Sequence, residues 1–335
     1  MRTFGVTPLV EEALPDADEL EIERSLALAL ARVTERAAAA AALLRGRGDE
    51  MAADIAAARA MRSELQRLPI RGCIVVGEEP SAEPAALAVG AELGSGAASA
   101  FDFAVAPLEG SNFCAKDMPG AISVVAMAKT GSLLRAPNVY MDKIAIGPGY
   151  PPGLVDLDRE PGDNILALAR AKGASESEIT VCILDRPRHV ELIGKCRRAG
   201  ARVRLITDGD VAGVIFTALP EETSVDMYLG RGGAPEGVLA AGALRCVGGQ
   251  MQARLTREGQ RGRAGAWGSF DPSKKYGIED LARGDVVVCA SGVTDGPLLA
   301  GVQFRRHALI TETLVYHSSS ATVRRIRAEH SLRLE

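Results

Sequence analysis

A strand–helix rhythm repeats three times between residues 180 and 247, and it constrains the fold more than any other feature. The predicted strands are Thr180–Leu184, Val203–Ile206 and Val225–Leu229, and the predicted helices are Arg188–Ala199, Asp210–Ala218 and Pro235–Val247. The strands are short apolar runs, whereas the helices carry apolar side chains at helical spacing. Consecutive β-α units of this kind predict an α/β fold with a mostly parallel sheet.

The first half is predicted to start with two helices and to continue with strands. Residues 22–45 have apolar positions at helical spacing, and Gly46-Arg47-Gly48 ends that helix. Asp49 is the predicted N-cap of a second helix that runs to about Arg67. Further strands are predicted at 72–77, 101–106 and 121–127, and residues 1–20 are predicted to form a loosely held arm.

The domain division is predicted from a segment rich in Pro, Gly and Asp at 148–161. It separates one α/β domain at 21–160 from a second at 161–335. Residues 256–275 are predicted to be an exposed loop. Two tail strands are predicted at Ala308–Tyr316 and Ala321–Arg327. The sequence leaves open which of the two domains they pack on.

Composition excludes two classes of partner. The 335 residues are 47% hydrophobic and 24% charged, with a formal net charge of −4 and no basic block, which argues against nucleic acid. The longest apolar run, Ala37–Leu44, is shorter than the roughly 20 residues that span a bilayer. Because no signal peptide is recognisable, the cytoplasm is the expected location. The six cysteines are far apart and are expected to be buried thiols.

Residues capable of metal and phosphate chemistry follow the predicted strands, where ligands gather in α/β folds. Three carboxylates suit a hard divalent cation: Glu78, Glu109 and Glu236. Arg186 and Arg188 suit a phosphate, which guanidinium groups bind through paired N–H donors. The glycine-rich segment 230–237 leads into a helix whose N-terminus attracts anions. With no Walker motif, this combination predicts transfer of a phosphoryl group to water.

Each of these features alone also has a purely structural interpretation. The segment 230–237 is typical of a tight βα turn, and Asp208-Gly209-Asp210 is typical of a turn followed by an N-cap. Arg186 and Arg188 are solvated by default. His189 is more often a residue of a first helical turn than a ligand, and Asp54 is more often a surface charge. The functional interpretation therefore depends on the features occurring together.

The run Pro107-Leu108-Glu109-Gly110-Ser111 resembles the signature Asp-Pro-(Leu/Ile)-(Asp/Glu)-Gly-(Ser/Thr) of Mg/Li-sensitive sugar phosphatases, with Ala106 at the Asp position. From about Glu23 to His330 the chain is similar to class II fructose-1,6-bisphosphatases, including the fructose-1,6-/sedoheptulose-1,7-bisphosphatase type. Other matching runs are Gly46–Asp49, Val76–Glu78, Ala136–Lys143, Asp185–His189, Asp208–Asp210, Gly232–Gly237, Gly292–Gly296 and Thr311–Leu314.

The resemblance implies a layered α-β-α-β-α sandwich of the type shared with inositol monophosphatases. It implies removal of the 1-phosphate of fructose 1,6-bisphosphate or of sedoheptulose 1,7-bisphosphate by a homodimer or homotetramer. Residues 21–160 would then bind metal, and residues 161–335 would bind the sugar phosphate. The implied ligands of Mn²⁺ or Mg²⁺ are Asp54, Glu78, Glu109 and Glu236. The implied substrate contacts are Gly110, Ser111, Tyr140, Arg186, Arg188, Asp208, Asp210 and Gly233. The implied catalytic residues are Glu78, Glu109 and Ser111, with Ser111 orienting the attacking water.

Two single positions and one short segment depart from the family pattern. Ala106 removes an expected metal ligand, residues 79–84 lose two acids and a glycine, and Arg231 replaces an apolar residue. Three explanations remain open: an engineered alanine, a natural paralogue that binds sugar phosphates without hydrolysis, or a site rebuilt for another phosphorylated sugar. In the rebuilt site, Glu79, Glu83 or Asp102 would supply ligands.

Overall fold

The computed structural model describes residues 17–78, 86–96, 100–256 and 270–331, with side chains from residue 25 onward. The helices are α1 Ala17–Ala42, α2 Glu50–Leu65, α3 Ser111–Ala115, α4 Pro161–Lys172, α5 Val190–Arg198, α6 Asp210–Ile215, α7 Pro220–Thr223, α8 Ala234–Val247 and α9 Ile278–Leu281. The strands of the first half are β1 Arg71–Val76, β2 Glu92–Leu93, β3 Ala100–Glu109, β4 Ile122–Lys129 and β5 Tyr140–Ile146. Those of the second half are β6 Thr180–Leu184, β7 Arg202–Ile206, β8 Met227–Gly233, β9 Gln250–Thr256, β10 Tyr276–Gly277, β11 Val286–Gly292, β12 Gln303–Phe304, β13 Ala308–His317 and β14 Thr322–Ser331.

The strands form two sheets. The larger sheet has the order β12-β13-β11-β4-β3-β1-β2, with β14 paired to β13, and the smaller has the order β10-β9-β5-β8-β6-β7. The tail strands therefore return to the larger sheet, which settles the choice that the sequence left open. The predicted domain boundary near residue 160 stays a prediction. Both sheets contain strands from both sides of it: β5 precedes the boundary but lies in the smaller sheet, and β11 to β14 follow it but lie in the larger sheet.

The prediction of a mostly parallel sheet is wrong. Among the described strands, β6 pairs parallel with β7 and with β8, β1 pairs parallel with β3, and the other ladders are antiparallel. The error comes from strands that the sequence did not reveal, above all β5, which pairs antiparallel with both β8 and β9. Asp142 and Lys143 interrupt its apolar pattern, and only tertiary contacts explain why they lie in a strand.

Five layers enclose three apolar cores, the middle of which surrounds the central helices and reaches both sheets, and this confirms the predicted layered α-β-α-β-α sandwich. Helices α1 and α2 cover the outer face of the larger sheet, α6 and α8 lie between the sheets, and α4 and α5 cover the outer face of the smaller sheet. Side chains that represent the three cores are Leu30, Met61 and Phe103 for the first, Val238, Leu239 and Tyr228 for the second, and Ile144, Ile165 and Leu168 for the third. Alanines dominate α1, so this helix approaches its neighbours closely.

Local signals set the helix boundaries. Asp49 caps α2 as predicted, because its Oδ1 accepts a hydrogen bond from the backbone N–H of Ala52 at 2.9 Å. Gly248 ends α8 with φ of +75°, a conformation that glycine adopts without a side-chain clash. Across the described residues, no helix is long and apolar enough to cross a membrane. Of the predicted loop at 256–275, residues 257–269 lie outside the described part, and residues 271–275 are exposed as predicted.

Candidate functional site

Four carboxylates line one cavity of about 410 Å³ between the larger sheet and the N-terminus of α8. Asp54 projects from α2, Glu78 follows β1, Glu109 ends β3, and Glu236 lies in the first turn of α8. The sequence predicted these same side chains as metal ligands, and the structure brings all of them to the cavity. Ala106 also lines the cavity but offers only a methyl group.

A β-bulge directs Glu109 into this cavity. Ala106 of β3 pairs with Val124, but Glu109 pairs with Ile122, so the register shifts between them. Pro107 lies within the shift, where its missing N–H costs no ladder hydrogen bond. Glu109 Oε1 accepts a hydrogen bond from the backbone N–H of Val211 at 3.0 Å, which ties β3 to the start of α6.

Crowding of negative charge perturbs these groups. Burial, helped by the nearby Glu78 carboxylate, raises the pKa of Asp54 to about 7. Burial and the facing Glu236 carboxylate raise the pKa of Glu109, and burial also raises the pKa of Glu236 despite the opposing charge of Lys143. A cation in the cavity would remove most of this cost.

The donor chemistry fits a hard divalent cation. All four groups offer carboxylate oxygens, and Glu236 Oε2 is buried with no hydrogen-bond partner in the described structure. Within the described ranges, no three Asp, Glu, His or Cys side chains already lie together in metal-ligating geometry. Glu78 Oε2 is held instead by the backbone N–H of Leu87 at 3.0 Å.

Of the candidate replacements for an Asp at position 106, Asp102 does not line the cavity. Asp102 lies four residues earlier in β3, fully buried, and its Oδ2 accepts a hydrogen bond from the N–H of Gly131 at 2.6 Å. Four residues of strand span about 13 Å, so this carboxylate cannot reach the cavity, and its prediction as a ligand is wrong. Glu79 and Glu83 lie outside the described residues.

The predicted phosphate contacts gather at one edge of the smaller sheet. The parallel strands β6, β7 and β8 end there, and β5 begins there, because Tyr140 pairs with Gly233. Arg188 is exposed at this edge, with its guanidinium carbon 4.9 Å from the centre of the Tyr140 ring. Its Nη2 donates to the carbonyl oxygen of Arg231 at 2.7 Å. Arg186, two residues earlier, is half-buried, and its Nη1 donates to the carbonyl oxygen of Asp185 at 3.3 Å.

The Gly110-Ser111 turn adjoins the Asp208–Asp210 turn. Gly110 has φ of +82° and precedes α3, which begins at Ser111. The ring of Phe113 fills the space beside both Gly110 and Gly209, so a β-carbon at Gly110 would come within 2.8 Å of it. This packing joins the end of β3 to the end of β7.

Asp210 is committed to internal contacts. It is 7% exposed, and both of its carboxylate oxygens accept hydrogen bonds, one from Lys143 Nζ and one from the Tyr228 hydroxyl. Lys143 Nζ also donates to the carbonyl oxygen of Gly233 at 2.8 Å. The predicted contact between Asp210 and the substrate stays a prediction. In this structure Asp210 fixes the 208–210 turn through its bonds to Lys143 and Tyr228. Asp208 is half-buried, and its negative charge contributes to the raised pKa of Asp54 in the cavity.

Sequence reasoning missed Lys143 and Tyr228 and gave His189 no specific role. His189 lies in a 3₁₀ turn just before α5, and its Nε2 accepts the N–H of Arg231 at 2.8 Å. Its Nδ1–H therefore donates to the Leu184 carbonyl at 2.7 Å, and burial lowers its pKa. The only sign of such roles in the sequence was a charged residue within an apolar strand, as at Lys143.

Arg231, which departs from the family pattern, is paired across the sheet. Its Nε and Nη2 donate to the Asp142 carboxylate at 2.7 and 3.2 Å, a two-point contact. Asp142, Arg188 and Arg231 help to line a second cavity of about 540 Å³ on the α4–α5 side of this sheet.

Comparison with known proteins supplies independent findings. A family model described as "Bacterial fructose-1,6-bisphosphatase, glpX-encoded" matches residues 24–330. A "D-fructose 1,6-bisphosphatase class 2/sedoheptulose 1,7-bisphosphatase" from Synechococcus sp. (strain JA-3-3Ab) is 39% identical over 336 residues, covering 92% of this chain and 96% of that protein. "Fructose-1,6-bisphosphatase 1 class 2" from Escherichia coli (strain K12) is 39% identical over 327 residues, covering 93% and 96%.

Proposed function

The chain belongs to the bacterial class 2 fructose-1,6-bisphosphatase family of phosphoric monoester hydrolases, and we propose that it acts on the 1-phosphate of a sugar bisphosphate. Fructose 1,6-bisphosphate is the proposed substrate, with sedoheptulose 1,7-bisphosphate as the second. The observation that carries the proposal is the single cavity lined by Asp54, Glu78, Glu109 and Glu236 beside the start of α8.

The cavity residues would hold the proposed cofactor. Bound Mn²⁺ or Mg²⁺ would supply Lewis-acid chemistry and lower the pKa of water. Asp54 and Glu78 approach from the larger sheet's side, and Glu236 approaches from α8. The backbone of Glu109 is fixed by the bulge in β3, and its side chain by the N–H of Val211.

The chain's own groups would bind and orient the sugar phosphate. Arg186 and Arg188 offer guanidinium donors, and the Tyr140 ring holds the Arg188 side chain in place. Ser111 is the first residue of α3, so its hydroxyl stands beside Gly110 at the end of β3, where it would orient the attacking water. Lys143 Nζ donates to the carbonyl oxygen of Gly233 and so fixes the start of α8, where the sugar phosphate would bind.

Ala106 supports a second candidate function, sugar-phosphate binding without turnover. Loss of a partner that only supports a metal ligand typically lowers affinity or activity by about 10–100-fold, and loss of a ligand itself costs more. The phosphate-binding edge at Arg186 and Arg188 is independent of residue 106. Binding could therefore persist where hydrolysis fails.

The test is phosphate release from fructose 1,6-bisphosphate with Mn²⁺, comparing the chain with Ala106→Asp. Ala106→Asn is the matched control, because it adds similar volume without the charge. We expect Ala106→Asp to raise turnover by at least about tenfold and the Asn variant to leave it unchanged. Calorimetric titration of the unaltered chain with the same sugar separates the two candidates. Binding without release supports the binder, and neither binding nor release by any variant refutes both.

A further inference from the structure

Two sequence runs that match the family lie outside both the metal cavity and the phosphate-binding edge. Gly292–Gly296 begins at the end of β11, and Thr311–Leu314 lies within the neighbouring strand β13. Gly292 pairs with Ile122 of β4, and Ile122 pairs on its other side with Glu109. The loop that follows β11, residues 293–302, therefore lies at the same end of the larger sheet as the metal cavity.

Both runs hold the 293–302 loop in one compact conformation. Asp295 Oδ1 accepts a hydrogen bond from the backbone N–H of Gly301 at 2.9 Å, which joins the two sides of the loop. Glu312, from the second run, accepts the backbone N–H of Ala300. The two sides are so close that a β-carbon at Gly301 would lie 2.5 Å from the backbone nitrogen of Asp295.

The loop holds the chain just before β4. The N–H of Ala121 donates to Thr294 Oγ1 at 2.9 Å, and its carbonyl oxygen accepts the N–H groups of Val293 and Thr294 at 2.8 and 3.2 Å. Thr294 is 3% exposed, so its hydroxyl is the acceptor for a buried N–H that water cannot satisfy. Gly296 packs against Gly120, because a β-carbon at Gly296 would lie 3.0 Å from Gly120 Cα.

Gly120 and Ala121 pack in turn against the Gly110–Ser111 turn. A β-carbon at Gly110 would lie 3.5 Å from Ala121 Cα and 2.8 Å from the ring of Phe113. The same ring lies 3.6 Å from the place that a β-carbon at Gly120 would take. Closely packed groups transmit small displacements, so a shift of Ala121 would move the turn that begins α3.

We propose that Thr294 is a positioning residue for phosphate hydrolysis. Its hydroxyl fixes the backbone of Ala121, and Ala121 fixes the turn that carries Ser111, whose hydroxyl would orient the attacking water. The inference rests on the proposed function, because Ser111 has this role only in that reaction. It gives both family runs a part: one supplies the hydroxyl, and the other, through Glu312, holds the loop that carries it.

Two substitutions at position 294 separate the hydroxyl from the rest of the side chain. Thr294→Val keeps nearly the same shape and removes the acceptor, whereas Thr294→Ser keeps the hydroxyl. They are measured in whichever form releases phosphate, the unaltered chain or Ala106→Asp. Thr294→Val should lower kcat by about tenfold or more, because small misplacements of reacting groups are costly. KM should change much less, since Arg186 and Arg188 lie on the other sheet, and Thr294→Ser should retain most of kcat.

Thr223→Val is the matched control. Thr223 is 2% exposed, and its Oγ1 also accepts a backbone N–H, that of Val225 at 3.3 Å. It precedes β8, at the end of that strand opposite to Gly233 and the substrate edge. Both valine variants lose a buried hydroxyl that accepts a backbone hydrogen bond, so a general loss of stability would affect both. Only Thr294→Val should lower kcat.

Hydrogen exchange gives a readout that needs no turnover. In the folded protein, the backbone amides of residues 110–115 should exchange about tenfold faster in Thr294→Val than in Thr294→Ser or Thr223→Val. If Thr294→Val does not fold, Asp295→Ala serves as the second variant. Asp295 is exposed, and its loss would open the 293–302 loop by removing the acceptor for the Gly301 N–H. The same changes in exchange and kcat are expected from it.

Each opposing result removes a defined part of the proposal. Unchanged exchange at 110–115 in the folded variants would show that the loop does not fix the turn. Faster exchange with unchanged kcat, or an equal fall of kcat in Thr223→Val, would refute the role of Thr294 in the reaction. If no form of the chain releases phosphate, the proposed function fails and the link to the reaction with it. Exchange at 110–115 still decides separately whether Thr294 fixes the turn.

Discussion

Replacing Asp54 by asparagine should stabilise the metal-free protein at alkaline pH. Asp54 lies half-buried in the acidic cavity, where burial and the Glu78 carboxylate raise its pKa from 3.8 to about 7. The protonated form is therefore favoured in the folded state. This contribution to the free energy of unfolding is fully present below pH 4 and is lost as pH rises through 7. Asparagine has the same shape and never carries the charge.

The expected magnitude follows from the two pKa values. A change from 3.8 to about 7 corresponds to about 4 kcal/mol, at about 1.4 kcal/mol for each tenfold change in proton affinity. Because the side chain is only half-buried, solvent screens part of this cost. We expect Asp54→Asn to raise the free energy of unfolding by about 2 kcal/mol at pH 8 and to change it little at pH 4.

Urea unfolding at the two pH values, in the presence of a chelator, is the assay. A matched titration with Mn²⁺ extends it, because a cation that binds the cavity should stabilise the unaltered chain more than Asp54→Asn. The reasoning fails if the variant is no more stable than the unaltered chain at pH 8. It also fails if the difference is the same at pH 4, since that would indicate packing and not charge.

Three further outcomes are expected. Lys143→Met should lower the free energy of unfolding by about 3–5 kcal/mol, measured in urea, because the buried Asp210 carboxylate loses its cation. Gly232→Ala should destabilise by about 1–3 kcal/mol in the same assay, because the new β-carbon would lie 1.9 Å from Asp210 Oδ2. The hydrogen bond from Lys275 lowers the pKa of Asp156 to about 2. The ionised Asp156 carboxylate therefore stabilises the folded state above pH 4, and this stabilisation is lost as pH falls to 2. Asp156→Asn should therefore cost about 1–2 kcal/mol at pH 7 and nothing near pH 2, in thermal unfolding.

Local signals made several elements predictable. Thr180–Leu184 is a strand with the predicted bounds, because it is a short, continuously apolar run between turn residues. The cap at Asp49 needs only its own side chain and the N–H three residues later. Glu78, Glu109 and Glu236 were identified from their positions after predicted strands, where ligands gather in α/β folds, and Asp54 only through the family resemblance.

Strand directions and long-range pairs were not available from the sequence. β5 contains Asp142 and Lys143, whose charges are paired with Arg231 and Asp210, residues 89 and 67 positions away. A local sequence pattern carries no information about which distant residues pair. The antiparallel ladders that β5 makes on both sides therefore remained hidden, and the sheet was predicted to be mostly parallel.

The sequence by itself determined the α/β class, the layered family fold and the identities of the chemical groups. Those properties follow from periodicity, caps and motif residues that act over a few positions. Only the tertiary structure decided that Asp210 is bound by Lys143 and Tyr228, that Asp102 lies out of reach of the cavity, and that the tail strands β13 and β14 join the larger sheet. Each of these depends on which distant strands pair, and strand pairing is set by the packing of the whole chain.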